Sequence, residues 1–252
     1  MTKSSPLALQ TDALSFFYRQ TPVLSNLSIS IPQGVLLGIL GPNGAGKTTL
    51  MKILLGLLRP TSGSLSLLGK ERKQVQKRLS YVPQKGNVDW DFPANVFEVV
   101  LMGRYGHLGW IKRPLKRDRE IALEALEQVD LIDLRHRHIR ELSGGQQQRV
   151  FLARALAQQG DLYFMDEPFA AIDRKTERTL IRIFQSLQRE GKTLFIIHHD
   201  LHTVREYFDW VYFLNVSTLA LGPTQEIFTE ENIKRAYHFS YEELASLSHQ
   251  SQ

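Results

Sequence analysis

Residues 35–58 read VLLGILGPNGAGKTTLMKILLGLL, three pieces laid end to end. VLLGIL at 35–40 is a short apolar run, the pattern of a strand buried in a parallel sheet. TLMKILLGLL at 49–58 reads as a helix. Between them, GPNGAGKT at 41–48 has a glycine, four residues, a second glycine, a lysine and a threonine. That is the phosphate-binding loop pattern. Glycines at 41, 44 and 46 let the backbone curl until its N–H groups face phosphate oxygens, and the helix that follows adds its dipole. In this pattern Lys47 reaches the β- and γ-phosphates and Thr48 places its hydroxyl on Mg2+. The competing reading is a chance glycine-rich turn. The strand before and the helix after, which the motif requires, weigh against it. Gly41, Pro42, Asn43, Gly44, Ala45, Gly46, Lys47, Thr48 and Thr49 are therefore candidate nucleotide-binding residues.

The rest of the chain alternates in the same manner. Residues 7–32 carry β-branched and aromatic residues in short runs broken by turn signals, as antiparallel strands do. Strands are also expected at 62–69 (SGSLSLLG), 78–84 (RLSYVPQ), 162–168 (LYFMDEP), in TLFIIHH and in WVYFLN. Helical spacing marks REIALEALEQVDLIDL, GGQQQRVFLARALAQQ and RKTERTLIRIFQSLQREG, the last closed by Gly191. DLHTVREYF is read as a helix, PTQEIFTEENIKRAY as a pair of short helices, and the polar SLSHQSQ as a frayed tail. The layout is α/β. A nucleotide-binding core over 35–85 and 160–215 is interrupted by a helical part at 86–158, with antiparallel strands at 1–34 and an extension at 216–252.

Composition narrows the chemistry. The chain has 252 residues, 42% of them hydrophobic, enough for a substantial core. It has no cysteine, which excludes disulfides, thiolate catalysis and cysteine-held metal centres. The net charge of +5 suits a nucleotide, an anionic membrane surface or nucleic acid, and decides nothing. No apolar run approaches the roughly 18 residues of a membrane helix, and MTKSSPLALQTDALSF lacks a signal-peptide core. The expectation is a soluble protein, or one peripheral on a membrane built by another chain.

LYFMDEP supplies a metal partner for the loop. Its apolar residues bury a strand that delivers Asp166, a carboxylate able to hold the Mg2+ shell, and Glu167 follows, able to polarise a water. The alternative is an acidic pair that only caps the next helix. LSGGQQQR at 142–149 is a second glycine turn opening a helix, hence a second anion site. With these in order, the sequence resembles an ATP-binding cassette (ABC) ATPase over nearly its whole length. The resemblance also takes in Gln84 after RLSYVP, AAID at 170–173 and the histidine before aspartate in IIHHDL. AAID departs from the more usual Ser-Ala-Leu-Asp but keeps the aspartate.

The resemblance implies a P-loop NTPase fold and a role for each residue. Tyr18 stacks on adenine. Gln84 contacts Mg2+ or the water and senses the γ-phosphate. Ser143, Gly144, Gly145 and Gln146 meet the γ-phosphate held by the opposite subunit. Glu167 is the general base, His199 the switch residue, and Asp173 part of a loop crossing the dimer interface. Two subunits would enclose two ATP with Mg2+, and hydrolysis would open the dimer. His199 and His202, three apart in HHDLH, also have a spacing that chelates metal on a helix; the switch role already accounts for His199. The basic run around His136 and His138 reads as a solvated turn.

NVDWDFP at 87–93 and LMGRYGHLGW at 101–110 match no catalytic pattern. In this family the helical part faces a membrane-spanning partner. Trp90, Phe92, Phe97 and Tyr105 suit such a docking socket, although some of these aromatics fill the helical part's own core. The wording of 88–110 and the doubled histidine resemble the ATPases of manganese, zinc and iron importers, closest to the manganese branch. The resemblance then implies a homodimer on the cytoplasmic membrane face, a permease docked near Trp90, Phe92 and 94–110, and an extracytoplasmic metal-binding protein. Open alternatives are zinc, iron, a siderophore or another metal chelate as cargo, and a soluble ABC ATPase of iron–sulfur assembly. A nucleic-acid-linked ATPase is disfavoured, because the interval between loop and signature is too short for its coiled coil.

Overall fold

A computed structural model describes residues 6–84, 93–108, 113–170 and 172–237. The chain divides into two units, Met1–Gln76 with Thr193–Gln252, and Lys77–Lys192.

In the first unit, β4 (Leu36–Leu40) is buried at every residue. It lies parallel to β8 (Thr193–Ile197) on one side and β9 (Trp210–Asn215) on the other, with Leu36 opposite Leu194 and Leu37 opposite Trp210. A strand with parallel neighbours on both sides and covered faces has no position for a polar side chain, which is why LLGIL is continuously apolar. β10 (Ser217–Pro223) adds an antiparallel strand beside β9, giving the order β10-β9-β4-β8. A second sheet is antiparallel and built on β1 (Leu7–Tyr18). β1 pairs with β2 (Thr21–Leu27), β3 (Ser30–Pro32) and β5 (Ser62–Leu67).

Helix α1 (Lys47–Leu55) buries Leu50, Met51, Ile53 and Leu54. It ends three residues before the sequence expectation. Gly56 takes the left-handed region at φ 76° and its N–H bonds the Ile53 carbonyl, the geometry of a glycine C-cap. The short helices α2 (Arg72–Val75), α8 (Val204–Tyr207), α9 (Thr224–Ile227) and α10 (Glu230–Tyr237) complete this unit. α8 is one turn, not the helix expected over DLHTVREYF. Asp200 competes for the local donors: its carboxylate accepts from the His202 N–H at 3.0 Å and its carbonyl from the Thr203 hydroxyl at 3.1 Å. Phe208 then returns to extended backbone.

In the second unit, β6 (Leu79–Val82) pairs in parallel with β7 (Leu162–Asp166). The remainder is helical: α3 (Val96–Leu101), α4 (Tyr105–Leu108), α5 (Lys116–Gln128), α6 (Gly144–Ala157) and α7 (Arg174–Arg189). α3 and α5 pack on α6. The approach is close enough that a Cβ on Gly103 would collide with the Arg154 carbonyl. Beside it, buried Arg104 bonds Asp118 at 3.0 Å, the Ala157 carbonyl at 2.8 Å and Gln159 at 3.1 Å. Removing one partner of such a buried pair costs about 3–5 kcal/mol. α5 is shorter than REIALEALEQVDLIDL suggested. Asp130 turns left-handed at φ 54°, and Ile132–Leu134 forms only a 3-10 turn. α7 buries Leu180, Ile181, Phe184 and Leu187, the i, i+4, i+7 stripe of an amphipathic helix. Among the described residues no helix is long and apolar enough to cross a membrane.

Candidate nucleotide site

The loop 41–46 leaves β4 and enters α1 in the first unit. Gly41 has no room for a side chain, because its Cβ position is taken by the Leu214 carbonyl. Gly46 sits at φ 94°, and a Cβ there would come within 2.7 Å of the Val23 carbonyl and 2.6 Å of Leu24. Both positions therefore demand glycine. The cap of α1 is Gly46, which has no side chain to cap with, and the first turn holds no acidic residue. A helix start of this kind, with its dipole end, favours an anion. Lys47 is buried, with Nζ donating to the Gly41 carbonyl at 2.5 Å and the Pro42 carbonyl at 2.8 Å. Its ammonium thus lies along the loop. Thr48 and Thr49 are half-buried, Asn43 and Gly44 exposed. The Ala45 carbonyl accepts from the Val216 N–H at 3.0 Å, which ties the loop to the turn between β9 and β10.

Tyr18, at the tip of the β1–β2 hairpin, is 51% exposed, its ring edge-on to Phe16 at 4.8 Å. At the end of β8, His198 is buried and His199 exposed. Burial pushes the His198 imidazole down from 6.5 to about 4, with Asp200 acting against that shift. His198 bonds the Thr203 hydroxyl at 2.8 Å and packs beside Phe208. His202 is in a turn ahead of α8, so His199 and His202 do not share the helical face that chelation at that spacing presumed.

In the second unit, β7 ends on Asp166, which is 1% exposed. Glu167 follows in the left-handed region at φ 52°, unusual for a residue with a side chain and a mark of functional sites. Its Oε2 accepts from the Gln84 amide at 2.9 Å. The structure thus pairs two residues that the sequence presented separately. Ser143 caps α6: its hydroxyl accepts from the Gln146 N–H at 3.3 Å, and the Gln146 side chain accepts from the Ser143 N–H at 2.9 Å. Gly144 and Gly145 form the first turn, with Ile172 3.8 Å from the Gly145 Cβ position. Asp173 caps α7, accepting from the Thr176 N–H at 2.9 Å and its hydroxyl at 2.8 Å, and these bonds hold its carboxyl below the usual range.

A buried strand, a loop whose Gly41 and Gly46 leave no room for a Cβ, a lysine lying along it and a glycine-capped helix start form a phosphate cradle. The family model described as ABC transporter matches residues 24–170. The chain belongs to the ABC transporter family. It is 51% identical over 229 residues to the manganese transport system ATP-binding protein MntB of Bacillus subtilis, covering 91% of this chain and 92% of that one. It is 54% identical over 230 residues to the zinc transport system ATP-binding protein TroB of Treponema pallidum, covering 91% and 86%. Among solved structures, the crystal structure of a nucleotide-free ATP-binding cassette from an ABC transporter superposes with a TM-score of 0.76 at 26% identity, covering 91% and 94%. The chain is accordingly an ABC ATPase with the expected P-loop NTPase fold.

One contact of this ABC ATPase had no sequence signal. The Tyr237 hydroxyl, at the end of α10, accepts from the Gly41 N–H at 2.9 Å across 196 residues. By sequence, PTQEIFTEENIKRAY reads only as a pair of short helices. The docking aromatics Trp90 and Phe92 lie outside the described residues, as do 109 and 110. Phe97 is half-buried, its N–H bonded to the Arg135 carbonyl, and Tyr105 is 50% exposed.

Proposed function

We propose that this ATPase drives uptake of a divalent metal ion, manganese, through a separate membrane permease at the cytoplasmic face of the membrane. Identity of about one half to manganese and zinc transport ATP-binding proteins, over nine-tenths of the chain, carries the cargo. The Gln84–Glu167 contact carries the chemistry.

In this reading Gly41–Thr49 wrap the ATP phosphates, Tyr18 lies against adenine, and Lys47 exchanges its loop carbonyls for phosphate oxygens. Thr48, Gln84 and Asp166 are the proposed Mg2+ ligands. Hydroxyl, amide and carboxylate oxygens suit that hard cation, and a buried carboxylate such as Asp166 is at home beside a metal. Bound there, Mg2+ would neutralise charge on the phosphate oxygens. Glu167, held by Gln84, takes the proton of the attacking water, and His199 stands as the switch residue. Ser143, Gly144, Gly145 and Gln146 of a second copy close on the γ-phosphate, with Asp173 near that interface, so the working form is a homodimer. Exposed Tyr105 and the stretch 94–110, with Trp90 and Phe92, form the permease socket. An extracytoplasmic binding protein selects the ion, and no nucleic acid takes part.

Glu167→Gln is expected to bind ATP while its turnover falls by about 100-fold or more. Uptake of radioactive manganese, with zinc and iron in parallel, is measured in cells lacking this chain and given back wild type or Glu167→Gln. Selective loss of manganese uptake, restored by wild type alone, bears the proposal out. Loss confined to zinc favours the second reading, for which the 54% identity to a zinc transport ATP-binding protein speaks. Wild-type turnover by Glu167→Gln removes the role given to Glu167.

A further inference from the structure

The Gly41 peptide is gripped from both ends. Its carbonyl accepts from Lys47 Nζ at 2.5 Å, and its N–H donates to the Tyr237 hydroxyl at 2.9 Å. Gly41 is where β4 turns into the phosphate loop, and its backbone is pressed against the Leu214 carbonyl. Tyr237 is seated firmly enough to act as a fixed post. α10 buries Ile233 and Ala236, and the Asn215 amide donates to the Ala236 carbonyl at 3.4 Å. Asn232 anchors the start of the helix through its bond to the Ile227 carbonyl at 2.8 Å. A glycine has more conformations to lose than any other residue, so whatever fixes it before ligand arrives lowers the ordering cost of binding.

We infer that Tyr237 is a positioning residue for nucleotide binding, its hydroxyl fixing the Gly41 peptide and hence the path of the phosphate loop. The inference rests on reading 41–48 as that loop. Tyr237 acts through Gly41.

Binding of the nonhydrolysable analogue AMP-PNP with Mg2+ is measured by calorimetry on the full chain. Wild type, Tyr237→Phe, Tyr237→Leu and Lys47→Ala are compared, with unfolding midpoints taken without nucleotide. Tyr237→Phe keeps the ring and removes one hydroxyl. It is expected to weaken binding about three- to tenfold, the size of one hydrogen bond. In hydrolysis it should raise KM more than it lowers kcat, whereas general damage would lower kcat as well. Tyr237→Leu should weaken binding at least as much. Wild-type affinity in Tyr237→Phe overturns the inference. So does a normal Tyr237→Phe beside a weak Tyr237→Leu, which would assign the effect to ring packing. A wild-type chain that fails to bind, or Lys47→Ala binding as wild type does, strikes the loop reading itself, and the inference falls with it.

Discussion

Helix α1 begins at Gly46, left-handed and without a capping side chain of its own; α6 begins at Ser143, inside a reciprocal pair of bonds with Gln146. Both starts are glycine-rich, and both would pass as anion sites by composition. The first has a glycine at its cap, with no side chain of its own to offer, and that glycine is fixed by crowding from Val23 and Leu24. The second has satisfied itself, and Ser143 still lies exposed. A start with no capping side chain of its own gains by taking a phosphate. A capped start must exchange one bond for another, and the Ser143 hydroxyl bond is the longer of its two, at 3.3 Å against 2.9 Å. A loop that binds first and a signature that closes second is the order this difference favours.

The largest effect is expected at Lys47. Lys47→Ala should lower ATP hydrolysis by about 100-fold or more, since it removes the charge that meets the phosphates; phosphate release measures it. Gly46→Ala comes next. It forces a Cβ against Val23 and Leu24 at φ 94°, and should cost about 1–3 kcal/mol in denaturant unfolding while weakening AMP-PNP binding. Ser143→Ala should cost about 1 kcal/mol, the worth of an N-cap, and reduce hydrolysis while leaving AMP-PNP binding to a single chain intact. Equal losses of binding in Gly46→Ala and Ser143→Ala would erase the distinction between the two starts.

A third helix start sharpens it by pH. Asp173 caps α7 as a carboxylate whose bonds to Thr176 lower its pKa. A depressed folded pKa means that the cap is complete above the ordinary value near 3.8 and is lost as pH falls through the lower folded value. Asp173→Asn caps without titrating. The unfolding midpoint should therefore fall less steeply as pH drops below about 4 in that variant than in wild type.

How much of this was legible depends on how local the cause is. Strand, loop and α1 declared themselves because glycine spacing, lysine and apolar run lie within one continuous stretch, and α7 did so through its single apolar face. β10 did not. STLALGP is half-exposed along an edge, and the turn before it carries Val216 at φ 58° without an Asn-Gly or Asp-Gly signal. α8 was overread because apolar spacing in DLHTVREYF says nothing about the donors that Asp200 captures. At the site, Gln84 and Glu167 were each readable, but their bond spans 83 residues and no periodicity reports it. Tyr237 lay further still from its partner.

That distance has a consequence for how the molecule is made. Gly41 and Lys47 emerge early from the ribosome, yet the Ala45 carbonyl waits for Val216 and the Gly41 N–H for Tyr237. At roughly 5–20 residues per second the intervening 196 residues take on the order of 10–40 s. During that interval the nascent chain carries the phosphate-loop sequence without either of these two contacts.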